Sequence, residues 1–325
     1  MNKFFVVMLV AVFTMTSWTS TKAQDFPLRT VRIIAPYPPG GTANLVGRLL
    51  SDKLQQMWGQ TVLVENRPGA GGTIGATLVA KSLPDGYTLV LIDSGPIVVA
   101  PHNSQVTMNF DPLKDLVPVA EVIQLAPVIA VRNGLGINDS SDLLTMIKAK
   151  PNGLNNALTA QGGFGHVVSS ALAKAAGGTM NDVPYQGAGP AVLDFMAGRV
   201  DVMVGVALNV VAQHEAQGNF RIIAALTENR IDLRPNIPTV KEVLPSFAIS
   251  AWFGLFAPAG TPEVVIEKIS RDVATVIATQ AFEEFRTRNL MLKAQTFNRR
   301  DFVSKVRADY EIWSRLVRES GISSK

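Results

Sequence analysis

From residue 31 onward the chain alternates short apolar runs with stretches whose apolar residues recur every three or four positions. Residues 31–36, 61–65, 87–93, 128–131, 200–204 and 221–226 are apolar nearly throughout. Continuous rather than alternating apolarity fits strands buried on both faces of a parallel sheet. Between the first two runs, Leu45, Leu49, Leu50, Leu54 and Met57 keep helical spacing, and Gly59 follows as a stop signal. The alternation predicts an α/β fold with doubly wound sheets. Further on, Thr261 and Pro262 read as an N-cap with a first-turn proline ahead of Ile266, Ile269, Val273, Val276 and Ile277. Phe302, Val306, Tyr310, Trp313 and Val317 predict a last helix whose aromatics belong to the core. A terminal helical pair of this kind is expected to brace the other elements. Segments 117–131 and 250–259 are extended, apolar and proline-containing. Two such crossings are what a chain needs if its middle forms a second domain and its end returns to the first.

The first residues set the compartment. Lys3 precedes an apolar run over residues 4–13, and residues 14–21 are small and polar. Thr21-Lys22-Ala23 places small residues at the −3 and −1 positions of a cleavage site. This is the pattern of a secretory signal peptide over residues 1–23, too short in its apolar core to anchor permanently. Removing it takes away Lys3 and Lys22 and lowers the formal net charge from +4 to +2. So small a surplus, with no basic cluster interleaved with aromatics, argues against nucleic acid. Hydrophobic residues make up 47% of the chain and charged residues 17%, enough apolar material for a sizeable buried core. With no cysteine there is no disulfide framework, thiolate nucleophile or lipoprotein anchor. The expected product is an exported, freely soluble monomer, and a cytosolic nucleotide-dependent enzyme is disfavoured.

Glycine-rich loops carry the candidate chemistry. The first strand runs into Tyr37-Pro38-Pro39-Gly40-Gly41-Thr42-Ala43-Asn44, with Asn44 as the expected N-cap of the next helix. Free N–H groups at such a helix start, with the positive end of its dipole, attract anions. Gly162-Gly163-Phe164-Gly165-His166 and Tyr185-Gln186-Gly187-Ala188 repeat the arrangement later. Three strand–glycine loop–helix junctions suggest helix N-termini converging on one crevice at the carboxyl ends of the strands. A further cluster, Gly69 to Gly75 with Asp93 beyond it, resembles a dinucleotide fingerprint. Asn66-Arg67-Pro68 separates it from its strand, however, and a structural turn is the preferred reading.

Catalytic signatures are lacking. No Gly-x-Ser-x-Gly, His-Glu-x-x-His or P-loop string occurs, and His102, His166 and His214 are scattered without metal-ligand spacing. His166 is expected to bond or pack at its helix start, and Asp201, in an apolar run, to have a structural partner. Neither a cofactor nor a metal is expected.

Several strings together resemble the exported receptors of tripartite tricarboxylate transporters, the Bug family. They are Phe26-Pro27 with residues 33–41, Val64-Glu65-Asn66-Arg67-Pro68-Gly69-Ala70-Gly71-Gly72, and residues 84–89. Val183-Pro184-Tyr185-Gln186-Gly187, residues 198–201 and residues 252–262 match as well, so the likeness spans the mature chain. The resemblance implies a two-domain periplasmic-binding-protein fold of type II, closing like a flytrap. Domain 1 would comprise residues 24–124 plus 249–325, and domain 2 residues 125–248. It also implies a small organic acid as ligand: a di- or tricarboxylate, an acidic amino acid or an aromatic acid such as nicotinate. Such a ligand would be held by backbone N–H groups and water, then passed to membrane transporter subunits or a sensor protein without turnover. An exported enzyme using His166 or Asp201 is the competing reading. The expected ligand residues are Tyr37, Gly40, Gly41, Thr42, Ala43, Asn44 and Ser94 from domain 1. Domain 2 would add Gly162, Gly163, Phe164, Gly165, His166, Tyr185, Gly187 and Ala188. Asn44 stands where the family commonly has Asp; facing the ligand, it would favour an acid without a cationic amine. Phe164 reads equally as a wall for a flat group or as core.

Overall fold

The computed structural model describes residues 26–217, 219–245 and 247–322; the signal-peptide segment 1–23 lies outside the described residues. Val31–Ala35 (β1) pairs in parallel with Val62–Asn66 (β2) and Thr88–Asp93 (β3). Leu116–Leu125 (β4) reaches this sheet only through Ala251–Pro258 (β10), which lies antiparallel between β3 and β4. The order is β2-β1-β3-β10-β4. A second sheet runs Asn181–Pro184 (β7), Asn155–Leu158 (β6), Val202–Ala207 (β8), Pro127–Arg132 (β5), Phe220–Ala225 (β9). Here β6 is parallel to β7 and β8, whereas β5 is antiparallel to β8 and β9. The molecule is thus a two-lobe α/β protein.

Both sheets are mixed, which corrects the expectation of parallel sheets. The reason lies in how the chain changes lobe. β4 ends at Leu125 and β5 starts at Pro127, so the chain crosses with Ala126 alone between the two strands. It comes back into β10, where Ala251 is paired with Leu125. One strand leaves and the other returns beside it, so the two run in opposite directions. The two extended crossings read in the sequence are these paired strands.

Helices cover the sheets. Thr42–Trp58 (α1) buries Val46, Leu50 and Leu54, while Leu45 and Met57 are 39% and 46% exposed. The buried stripe is therefore set one position from the expected one at both ends. Thr73–Ala80 (α2) follows a turn at Ala70–Gly72, and Gly75 lets it close on β1: a Cβ there would lie 2.7 Å from the Pro36 side chain. Ser140–Ala149 (α3), Phe164–Ala175 (α4), Ala188–Met196 (α5) and Leu208–Glu215 (α6) belong to the second lobe. Glu263–Ile277 (α7), Gln280–Arg288 (α8) and Arg299–Ser320 (α9) complete the first. Pro262 is itself the N-cap of α7, and the Thr261 hydroxyl donates to the Pro258 carbonyl instead of capping.

Helix α9 ties the molecule together. Phe302, Val306, Trp313 and Val317 are buried, as their spacing requires. Phe302 meets Trp252 and Phe256 of β10 edge-on, with centroids 5.3 and 5.6 Å away. Trp252 Nε1 donates to Asp309 at 2.7 Å, and Lys305 Nζ lies 3.0 Å from the same carboxylate. Further along, Trp313 reaches Phe164 of α4, 4.9 Å between rings, so one hydrophobic cluster runs from the first lobe into the second. Upstream, the chain entering α9 is pinned by Glu121 of β4, which is 1% exposed. Its carboxylate accepts from Gln124 Nε2, the Gln295 and Thr296 N–H groups and the Thr296 hydroxyl, at 2.7–3.1 Å. Four donors compensate its burial.

Candidate functional site

The parallel strands of each sheet send their carboxyl ends into loops that open helices, and these two rims meet. Thr42, the first residue of α1 after β1, accepts a hydrogen bond from Asn209 Nδ2 at 3.0 Å. Asn209 is the second residue of α6, directly after β8. The contact brings the α1 N-terminus of one lobe against the α6 N-terminus of the other. Side-chain caps are distributed unevenly. Asp139, Thr279 and Asn298 cap α3, α8 and α9, whereas α1, α4, α5 and α6 carry none. Helix α7, with Pro262 before it, also lacks one. At the rims, first-turn N–H groups stay available to an acceptor from outside the helix.

Asn44 is not the N-cap; Gly41 is, and Asn44 sits two residues inside α1. Its side chain is 4% exposed and committed within the lobe. Oδ1 accepts from the Gly40 N–H and Arg48 Nε at 3.3 Å, and Nδ2 donates to Asn66 Oδ1 at 2.8 Å. Asn66 in turn donates to the Tyr37 carbonyl at 2.8 Å. Asn44 therefore shapes the loop from behind, and its substitution for Asp changes a structural relay.

Tyr37 is turned inward too. Its ring meets Phe253 edge-on at 6.2 Å and lies over Gly72, where a Cβ would come within 2.8 Å of the phenol oxygen. Gly72 has φ +100°, so both its conformation and this close approach require glycine. The Tyr37 hydroxyl is buried beside the Asp93 carboxyl but outside good hydrogen-bond geometry. Burial, then the Asp93 charge, raises its pKa well above 10. Asp93 is pushed up from 3.8 to about 6, chiefly by burial; Tyr37 and the Gly95 N–H, 2.8 Å away, pull the other way. Ser94 is 1% exposed, between β3 and the turn at Gly95–Val99.

In the second lobe, His166 is 8% exposed and bonded within its own lobe. Nδ1 accepts the Gly162 N–H at 3.0 Å, and Nε2 lies 3.4 Å from Asp182. Asp182 accepts from Asn156, whose Oδ1 accepts the Val204 N–H. This chain of bonds fixes the Gly162–Gly163 loop. Gly162, at φ +70°, is also held from the first lobe, because Asn103 Nδ2 donates to its carbonyl at 2.8 Å. Phe164 is half-buried and packs on Trp313. Gly205, at φ +80°, lets α4 close on β8, since a Cβ there would lie 3.3 Å from the Gly165 Cα. The Tyr185 hydroxyl donates to Asp194 at 2.8 Å, on the helix that Gly187 and Ala188 open, with Arg199 on the other oxygen. Asp201 has structural partners: Arg132 at 2.9 Å and the Asn155 N–H at 2.9 Å.

The structure thus brings Thr42 against the second lobe and leaves Gly40, Gly41 and Ala43 in the same loop and helix start. The side chains of Tyr37, Asn44, Phe164, His166 and Tyr185 are engaged inside their lobes or along the seam. Sequence reasoning missed Asn209, whose junction has no glycine loop, as well as Asn66 and Asn103. Among the described residues no group of three His, Asp or Glu could hold a metal, and no helix is long and apolar enough to cross a membrane.

Two sheets joined by crossing strands, with uncapped helix starts in contact between them, fit a two-lobe solute-binding protein. The chain belongs to the family described as tripartite tricarboxylate transporter family receptors, whose sequence profile matches residues 46–322. It is 32% identical to the protein BugT of Bordetella pertussis over 100% of both chains. Among solved structures it is similar to Rpa4515 of R. palustris with adipate, with a TM-score of 0.84 and 26% identity over 92% of this chain and 99% of that one. It is likewise similar to MatC of Rhodopseudomonas palustris with bound malate, with a TM-score of 0.81 and 28% identity over 90% and 100%.

Proposed function

We propose that this chain is an exported receptor that captures a small organic carboxylate between its lobes and delivers it to a tripartite tricarboxylate-type membrane transporter. The reading places the mature protein in the periplasm after removal of residues 1–23. It divides the chain into a first domain of residues 24–124 plus 249–325 and a second of residues 125–248. One observation carries it: the first turns of α1 and α6, neither with a side-chain cap, are in contact from opposite lobes. Opposed positive helix ends attract an anion, and an anion touching both lobes favours the closed form. The acids bound by the relatives, adipate and malate, support a carboxylate. The ligand contacts are assigned to the loop and helix start at Gly40, Gly41, Thr42 and Ala43, and to the rim at Gly162, Gly163, Gly187 and Ala188. The engaged side chains of Tyr37, Asn44, His166 and Tyr185 position these loops. His166 is occupied by the Gly162 N–H and Asp182, which supports binding and release of the acid without turnover.

Thermal-shift measurements on unfolded and refolded protein test this with adipate, malate, citrate, glutamate, nicotinate and NAD. A ligand at 100 times its Kd adds about 2.7 kcal/mol, a rise of several degrees in Tm. One small carboxylate giving that rise, and recovered unaltered, is the expected result. A rise with NAD alone, or conversion of the acid, overturns the proposal.

A further inference from the structure

The side-chain contacts that join the lobes differ in kind. Asn103, which is fully buried, holds the rim loop at Gly162, and Trp313 and Phe164 belong to the hydrophobic cluster that runs through both lobes. Thr42 to Asn209 stands apart. Both residues are half-buried, and each sits at the first turn of a helix on its lobe's rim. Lobe separation at this rim breaks the bond.

We infer that Asn209 and Thr42 form the clasp that sets the balance between the closed and open receptor. Asn209 is thereby a determinant of affinity that acts through closure. The inference rests on reading the space between the lobes as the ligand site. A ligand held by both lobes binds in proportion to the fraction of molecules able to close, so a contact made only in the closed form raises apparent affinity. One neutral hydrogen bond of this type shifts such an equilibrium about 2- to 12-fold. The chemistry of the pair suits the role. The amide donates and the threonine oxygen accepts, which leaves the Thr42 proton and the second Asn209 N–H for other acceptors. The pair can remain bonded while both members also donate to one ligand oxygen.

The chain has no cysteine, so Gln56→Cys on α1 and Lys174→Cys on α4 give unique dye sites on the two lobes. Single-molecule energy transfer on refolded protein without added acid then reads lobe separation directly. Asn209→Ala and Thr42→Val should each lower the closed-to-open ratio about 2- to 12-fold. Thr42→Ser, which keeps the hydroxyl, should leave it unchanged. The double variant Thr42→Val with Asn209→Ala should match either single one, because both remove the same bond. An unchanged distribution in Asn209→Ala, a change in Thr42→Ser equal to that in Thr42→Val, or additive single effects would overturn the clasp. Since no acid is present, this result is independent of the carboxylate panel. A silent panel with a working clasp refutes the carboxylate assignment, while a responsive panel with no clasp effect refutes only this inference.

Discussion

Asp93 makes a sharp test of the electrostatics beneath the first rim. Its carboxyl is enclosed with the Tyr37 phenol, and its pKa is raised from 3.8 to about 6, mainly by burial. A raised pKa in the folded state means that the native protein keeps this proton over a range in which the unfolded chain has lost it. Stability from this group is therefore complete below pH 4, falls as pH rises through 6, and is constant above that. The displacement corresponds to ~3 kcal/mol at most. Asn is close in shape, keeps an oxygen for the Gly95 N–H, and can donate its amide to the Tyr37 oxygen. In Asp93→Asn this pH dependence should vanish. Urea denaturation of both proteins from pH 3.5 to 8 gives the comparison, provided the slopes agree and unfolding is two-state. The wild-type stability minus that of Asp93→Asn should fall by up to ~3 kcal/mol between pH 4 and pH 7. Parallel curves, or a difference that rises with pH, would refute the argument, because the carboxylate would then be as well solvated folded as unfolded.

Two further substitutions probe the scaffold. Gly75→Ala drives a methyl to 2.7 Å from the Pro36 side chain and should cost about 1–3 kcal/mol, whereas Gly189→Ala on α5 meets nothing within 4 Å and should be neutral or gain up to about 1 kcal/mol; equal effects in urea denaturation would remove the packing explanation. Glu121→Ala strands four donors and should lose about 2–4 kcal/mol, while Glu121→Gln should lose about 1 kcal/mol, because the Gln124 amide can turn to accept; the reverse ranking would show that the charge itself, not the acceptor geometry, holds the segment before α9.

The sequence and the folded chain agree where hydrophobic burial dominates. β1 and β3 were legible because Ile33, Ile34, Leu89, Val90, Leu91 and Ile92 are all fully buried, and nothing competes with that demand. β6 and β7 were not legible. Asn155, Asn156, Asn181 and Asp182 carry no apolar signature, and these strands use side-chain hydrogen bonds such as Asn156 to Asp182. The glycine loops marked the rims, but residue type alone could not say which side chains turn inward. Asn44 and His166 look like ligand groups in a string, yet each is spent on a loop N–H four residues before it, Gly40 or Gly162. Asn209 is the converse case, a polar residue after an ordinary apolar strand whose partner lies 167 positions away. A bond of that separation leaves no local trace.

The position of β10 bears on how the chain acquires its fold as it is made. Residues 251–258 lie between β3 and β4, two strands completed by residue 125. Until three-quarters of the polypeptide has emerged, β3 and β4 each keep a bare hydrogen-bonding edge toward the other, and the first sheet stays divided. The loop that must close to insert the missing strand spans the whole second sheet, which makes the step late and entropically demanding. Nascent chains ending before Ala251 should therefore remain open to proteases and chaperones, and commitment to the compact state falls to the last quarter of the molecule.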